Sequence, residues 1–420
     1  MAKLHIFLRN MVYPLVFCSL NRIIGFAEDT HARKNLKNIW FFARLIVSLP
    51  PKMAGLYIHI PFCKSRCVYC GFYSTTGLTL REKYTDAVCQ ELSMRRSKAP
   101  VSTIYLGGGT PSQLSIKQLR RLFDAIYIYN KVEKDAEVTI EMNPDDVTEE
   151  LATVLQQLGV NRVSMGAQTF NEERLRFLRR RHSAKQVYQA VETLRQTGFR
   201  NISIDLMYGF PDETLEDWEA DIKEALSLDV EHISTYCLMY EEGTPLYQLL
   251  EQGKVAETDE ELERQMYDTL IDRLEAKGYE HYEISNFAKP GFRSRHNSSY
   301  WKGIPYVGIG AAAHSYDIKT RSWNIADIHQ YIKGMEQGER LYESEALDEN
   351  TRYNDTVTVA LRTCEGLDLS KLTPKQRTYC LANAQRHLDA GLLKHNGDQL
   401  SLTREGFFVS DMVMSDLILV

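Results

Sequence analysis

The chain has 420 residues, a formal net charge of −6, 44% hydrophobic and 25% charged residues. That length accommodates one large domain and a smaller one, and the composition is ordinary for a globular protein. The acidic balance argues against a nucleic-acid partner at the level of the whole chain. Of its eight cysteines only three cluster, which excludes a secreted disulfide framework and fits a reducing, cytoplasmic compartment.

Residues 1–52 differ from the rest. They hold eight Lys or Arg against two Asp or Glu, a formal +6 that leaves −12 on the remainder. Their apolar patches, Met11–Leu20 and Ile39–Val47, are interrupted by Pro14 and Arg44 and fall short of the roughly 20 apolar residues that span a bilayer. No small-residue cleavage site follows cleanly. A basic anchor lying peripherally on a membrane is the functional reading. The plainer one is that Met53-Ala-Gly-Leu-Tyr-Ile-His-Ile is the natural start, with a poorly packed extension before it.

From Met53 onward, short β-branched runs alternate with helical periodicity. Strands are expected at Leu56–Ile60, Thr103–Leu106, Glu137–Met142, Arg162–Met165, Ile202–Leu206 and His232–Leu238. Helices are expected at Arg81–Arg96, from Ser115 to about Tyr129, at Glu149–Leu158, Glu172–Leu178 and Ser183–Gln196, from Thr214 to about Leu228, and at Asp259–Lys277. Six such units predict an α/β protein with a parallel sheet and helices outside it, curled by right-handed crossovers into a barrel or an incomplete barrel. After Gly278 the alternation fails. Gly308-Ile-Gly310-Ala-Ala-Ala-His314 is a small-residue stretch that allows close backbone approach. A smaller, mostly helical unit follows, with helices at Tyr353–Arg362, Lys375–Ala390 and Thr403–Leu417 and a hairpin around Asn396-Gly397. The expected domains are 53–300 and 301–420.

Unusual residues fall where the expected strands end, the position at which barrels of this kind place their chemistry. Cys63, Cys67 and Cys70 follow the first strand, Gly107–Pro111 the second, Glu141 and Asn143 the third, Gln168 the fourth and Asp205 the fifth. Thiolates are soft ligands that select zinc, copper(I) or iron–sulfur clusters. Three local cysteines leave one metal position for something else, and a zinc site completed by His59 or a distant ligand is the competing reading.

The spacing Cys63-x3-Cys67-x2-Cys70, preceded by Tyr57-Ile-His-Ile-Pro-Phe, resembles the radical S-adenosylmethionine (SAM) superfamily, in its oxygen-independent coproporphyrinogen III oxidase-like branch. The resemblance covers about Ala54 to the C-terminus and implies an incomplete (β/α)6 TIM-like radical SAM barrel. It implies that Cys63, Cys67 and Cys70 ligate three irons of a [4Fe–4S] cluster whose fourth iron takes SAM. One electron into that cluster would cleave SAM to methionine and a 5′-deoxyadenosyl radical. Tyr57, Gly108, Gly109, Thr110, Glu141, Gln168, Arg180 and Asp205 match SAM-contacting positions of the family, with Arg179 and Arg181 flanking Arg180. No catalytic residue is assigned.

Two functions compete. Radical decarboxylation of coproporphyrinogen propionates goes with a fourth cysteine two residues after the third, and Phe72 stands there. That residue, with His296-Asn-x-x-Tyr300-Trp301, is similar instead to the haem chaperones of the branch. The similarity implies haem as ligand, with His296, Tyr300 and Trp301 as haem-binding candidates. It further implies a flavodoxin or ferredoxin as electron donor and membrane respiratory proteins as haem acceptors.

Overall fold

The computed structural model describes residues 55–419. The expectations for residues 1–52, and for Met53 and Ala54 at the expected start, lie outside the described residues. Six strands run parallel in sequence order: β1 (Gly55–Ile60), β2 (Ser97–Gly108), β3 (Asn130–Met142), β4 (Arg162–Gln168), β5 (Ile202–Tyr208) and β6 (His232–Cys237). The alternation of strand and helix thus yields the parallel α/β core that the sequence predicts.

Helices cover the outer face because the sequence writes both their starts and their apolar stripes. Ser115 and Gln118 form a capping box at the helix Ile116–Tyr129, and Thr214 and Asp217 form another at Leu215–Ser227. Such an N-cap is worth about 1 kcal/mol. The outward residues of the strands, among them Ile104, Leu106, Ile140, Val163, Met165 and Ile204, join these helices in one apolar core.

The inward residues are different. Alternation along the strands puts Thr103 and Tyr105 of β2, Glu137, Thr139 and Glu141 of β3, and Arg162 and Ser164 of β4 on the concave face. Ser203 and Asp205 of β5 and His232 and Ser234 of β6 face the same way. Parallel strands covered on both faces normally read as continuous apolar runs. Here one face is polar and nonetheless almost entirely buried, with Arg162 only 1% exposed.

The structure departs from the expected boundary after residue 300. β9 (Tyr306–Ile309) pairs parallel with β1, and β10 (His314–Tyr316), β11 (Thr320–Asn324) and β12 (Tyr342–Ala346) continue antiparallel from it. On the other edge, β7 (Glu280–Glu283) and β8 (Asn286–Ala288) add an antiparallel hairpin to β6. The result is one sheet of twelve strands, ordered β12-β11-β10-β9-β1-β2-β3-β4-β5-β6-β8-β7, that curls without closing. The added strands have three to five residues each, too short to carry a period-2 pattern. What docks them is the fully buried Glu91 of the helix Arg81–Met94, which accepts hydrogen bonds from Gly310 N–H, the Asn324 amide and the Tyr331 hydroxyl.

The helix Arg295–Trp301 lies against the amino-terminal half of the inner face. Both oxygens of Glu137 accept from its first turn, from Arg295 N–H and His296 N–H, each at 2.9 Å. Beyond β12 a small unit packs its helices Glu349–Leu361, Pro374–Asp389, Arg404–Phe408 and Ser410–Leu417 with a three-stranded sheet. Its hairpin turns through Gly397 and Asp398, next to the expected Asn396-Gly397. The single last helix expected over Thr403–Leu417 is instead two, because Val409 leaves helical geometry at φ −105°, ψ 24°. Among the described residues no helix is long and apolar enough to cross a membrane.

Replacing Glu137 by Ala removes two charge-assisted bonds and should cost about 3 kcal/mol of stability. A urea midpoint unchanged from the wild type would show that this carboxylate does not fasten the helix.

Candidate functional site

The cysteine loop leaves β1 at Pro61 and is pinned before it reaches the first thiol. Cys63 N–H donates to Thr75 O at 2.9 Å, and Thr75 N–H donates back to Pro61 O at 2.7 Å. Val68 N–H reaches Leu178 O, and Leu246 N–H reaches Val68 O, so the far side of the loop rests on the segments that follow β4 and β6. The loop thereby closes one wall of a cavity at the carboxyl ends of the strands. Cys63, Cys67 and Cys70 all line it as free thiols. Burial pushes the Cys63 thiol up and the Cys70 thiol to about 12.

The glycine turn after β2 forms the adjoining wall. Gly109 N–H donates to Ile60 O at 2.9 Å and Thr110 N–H to Phe62 O at 2.8 Å, which stitches the turn to the cysteine loop. The Thr110 hydroxyl points to Cys63 Sγ at 3.7 Å. Gly108 has φ +106°, and a Cβ there would lie 2.3 Å from the His59 ring. At Gly109 a Cβ would lie 2.7 Å from the Pro61 backbone, so both positions demand glycine.

Two carboxylates complete the floor. Glu141 accepts from the Tyr105 hydroxyl at 2.8 Å and from Gly108 N–H at 3.1 Å. Burial pushes it up to about 7 in spite of those two bonds. Burial likewise pushes Asp205 up to about 6, against hydrogen bonds from Ser234 and Ser164 and the nearby Arg162 and Arg180. Gln168 reaches the cavity from a left-handed backbone, φ +69°, at the irregular end of β4. Non-glycine residues hold that conformation at a cost of about 1–3 kcal/mol, typically at functional sites. Of the three adjacent arginines, Arg180 is the one turned into the cavity's polar network. Its guanidinium donates to Cys67 Sγ, to Asn143 Oδ1 and to Gly166 O. Arg181 pairs instead with Asp145 and Asp146, and Arg179 is exposed.

Thus Cys63, Cys67, Cys70, Gly108, Gly109, Thr110, Glu141, Gln168, Arg180 and Asp205 share one cavity. Tyr57 does not line it. Its hydroxyl bonds His59 Nδ1 at 3.0 Å and its ring stacks on Tyr105. His59 Nε2 sits 3.0 Å from Tyr73 O, so both its nitrogens are engaged and neither is left for a zinc ion. The donor set fits the groups implied by the motif. Soft thiols suit iron, a side-chain-free turn admits a ligand backbone to backbone, and desolvated carboxylates favour a cationic ligand rich in hydrogen-bond donors.

His296, Tyr300 and Trp301 lie elsewhere. His296 is fully buried, with Nδ1 2.8 Å from Thr103 Oγ1 and Nε2 2.8 Å from the Tyr300 hydroxyl, and burial and Arg162 push it down to about 3. It presents no unengaged nitrogen, which counts against its expected role at the haem iron. Sequence reasoning singled out Asn143 but missed Tyr105 and Ser164 as partners of the site. Each sits on or beside an inward position two residues from an identified one, so strand parity carried the signal.

A carboxylate whose folded-state value is raised makes the fold less stable as pH rises from its unfolded value to its folded one. For Glu141 that window is about pH 4.5 to 7, worth on the order of 3 kcal/mol. The ligand-free protein should therefore lose stability across this window by more than Glu141→Gln does; parallel pH dependences would contradict the placement of Glu141. Gly109→Ala should cost about 1–3 kcal/mol by overpacking against Pro61, read as a shifted denaturation midpoint.

Comparison with known proteins agrees with this geometry. A profile described as the radical SAM superfamily matches residues 57–225, and one described as the HemN C-terminal domain matches residues 347–409. The heme chaperone HemW of Bacillus subtilis (strain 168) is 38% identical over 330 residues, covering 77% of this chain and 87% of that protein. The heme chaperone HemW of Lactococcus lactis (strain IL1403) is 35% identical, covering 88% and 98%. The coproporphyrinogen III oxidase HemN of Escherichia coli, a radical SAM enzyme, superimposes with a TM-score of 0.76 at 24% identity, over 89% of this chain and 91% of that one, a likeness of fold. On the identities and coverage of these relatives, the chain belongs to the HemW family of the radical SAM superfamily.

Proposed function

We propose that this protein is a cytoplasmic haem chaperone built on a radical SAM scaffold, binding haem and delivering it to membrane respiratory proteins. The observation that carries the reading is a groove between the helix Arg295–Trp301 and the C-terminal unit, distinct from the cysteine cavity. Trp301 lines it with its Nε1 unpartnered, and the Arg362 guanidinium lies 4.9 Å over the indole. Arg293, Arg295, Lys302 and Lys371 stand around the same groove, with Glu365 and Asp368 pairing with Arg293 and Lys371. An apolar wall beneath basic side chains suits a flat macrocycle bearing carboxylates.

The cysteine cavity supports a second bound group. Cys63, Cys67 and Cys70 would hold a [4Fe–4S] cluster, and the glycine turn, Glu141, Gln168, Arg180 and Asp205 would hold SAM. With a flavodoxin or ferredoxin as donor, that pair supplies one-electron reduction of a sulfonium when bound. The protein's share is position and charge. Arg180 offers a guanidinium beside Cys67 and Asn143 holds it, while Glu141 and Asp205 meet donors and positive charge from below. Phe72 lines this cavity, at the position where the oxidase pattern has its fourth cysteine.

Anaerobic reconstitution with iron and sulfide, followed by haem titration and incubation with coproporphyrinogen, tests the reading. The wild type should load iron, take up haem with a Soret shift and leave coproporphyrinogen intact. Cys67→Ala should lose iron yet keep haem uptake, and Trp301→Ala should weaken haem binding about tenfold, or ~1.4 kcal/mol. Decarboxylation of coproporphyrinogen, or no haem uptake, would overturn it.

A further inference from the structure

Asn143 follows β3 and precedes Pro144, which confines it to extended backbone, φ −88° and ψ 148°. Its side chain lines the cysteine cavity and is engaged at both ends. Oδ1 accepts from Arg180 Nη2 at 2.7 Å, and Nδ2 donates to the Thr110 hydroxyl oxygen at 3.4 Å. Each of those two partners reaches a different thiol. The Thr110 hydroxyl donates to Cys63 Sγ at 3.7 Å, and Arg180 Nη1 donates to Cys67 Sγ at 3.5 Å.

The polarity of this run is fixed at its cationic end. A guanidinium has donors only, so the Asn143 atom that faces it is the amide oxygen. The amide nitrogen therefore faces Thr110, whose oxygen accepts. A hydroxyl carries one hydrogen, and with the oxygen met by the amide that hydrogen is left to point at Cys63. A carboxylate in place of the amide would still accept from Arg180, but it would draw the threonine hydrogen to itself and leave Cys63 without its donor. Gly166 O, a further acceptor for Arg180 Nη2 at 2.7 Å, keeps the guanidinium from swinging away.

Donors on ligand sulfurs favour the more negative, reduced state of an iron–sulfur cluster and so raise its reduction potential. We propose that Asn143 is a positioning residue that sets the potential of the cluster by aiming one donor, through Thr110 and through Arg180, at each of two ligand sulfurs. The assignment rests on the reading of Cys63, Cys67 and Cys70 as cluster ligands and adds to it what governs the entry of the electron. That electron comes from a low-potential reductant and takes [4Fe–4S]2+ to [4Fe–4S]+, with no bond made or broken and no proton transferred.

The test is a potentiometric titration with dithionite of the anaerobically reconstituted full chain without SAM, followed by electron paramagnetic resonance, with iron and sulfide measured on each sample. Thr110→Val keeps the shape of the side chain and loses the hydrogen; its midpoint should shift to lower potential at wild-type iron content. Thr110→Ser restores the donor and should return the midpoint to that of the wild type. Asn143→Asp should also shift it down, and adding Thr110→Val to Asn143→Asp should shift it no further, because the threonine donor is already withdrawn. An unmoved midpoint in Thr110→Val, or additive shifts in the double variant, would overturn this assignment alone. So would loss of iron from Thr110→Val or Asn143→Asp, which would give these residues to cluster assembly instead. A wild type that loads no iron would overturn the ligand reading together with it.

Discussion

The contact between Tyr105, Glu141 and the Gly108 amide is the constraint on which the rest depends. A carboxylate buried in the inner face of a sheet is costly unless donors meet it. Here one donor comes from the strand beside it and the other from the glycine turn that follows the same strand. The turn is thereby held where its next two amides reach Ile60 and Phe62, and the cysteine loop starts from that fixed point. One desolvated group thus sets the height of the turn and, through it, the first thiol.

The same ring links the two ends of the inner face. Tyr105 is stacked on His296 below, at 5.1 Å and 26°, and on Tyr57 beside it. His296 in turn joins Thr103 and Tyr300, and Glu137 caps the helix that carries it. A contiguous run of contacts therefore spans the inner face from the motif helix to the glycine turn. This accounts for the polar reading of strands that are covered on both sides.

The parallel core was legible because strand runs, N-caps and glycine stops agreed along the chain. Ser115 with Gln118 and Thr214 with Asp217 announce their helices locally, and Cys63, Gly108, Glu141, Gln168 and Asp205 could be placed because they sit at or just after strand ends. The edge strands were not legible. β9 to β12 owe their existence to Glu91 and to pairing with β1, which are contacts across more than two hundred residues and leave no mark on local periodicity. Single residues showed the same division. The role expected of Cys63 follows from its spacing, whereas which of Arg180 and Arg181 meets Asn143 and which meets Asp146 is decided in space. The motif His296–Trp301 marked an important segment but not which atom in it is available. That became visible only with Thr103 and Tyr300 around the ring.

An open sheet of twelve strands has two borders where a foreign strand could attach, and this protein guards them by different means. On one border the C-terminal unit is laid across the hairpin, with backbone bonds from Ile284 to Arg362 and from Cys364 to Tyr282. On the other, β12 reads Tyr-Glu-Ser-Glu-Ala and stays largely in water. Joining a second molecule there would dehydrate two glutamates, so the charge of β12 itself disfavours self-association along this rim.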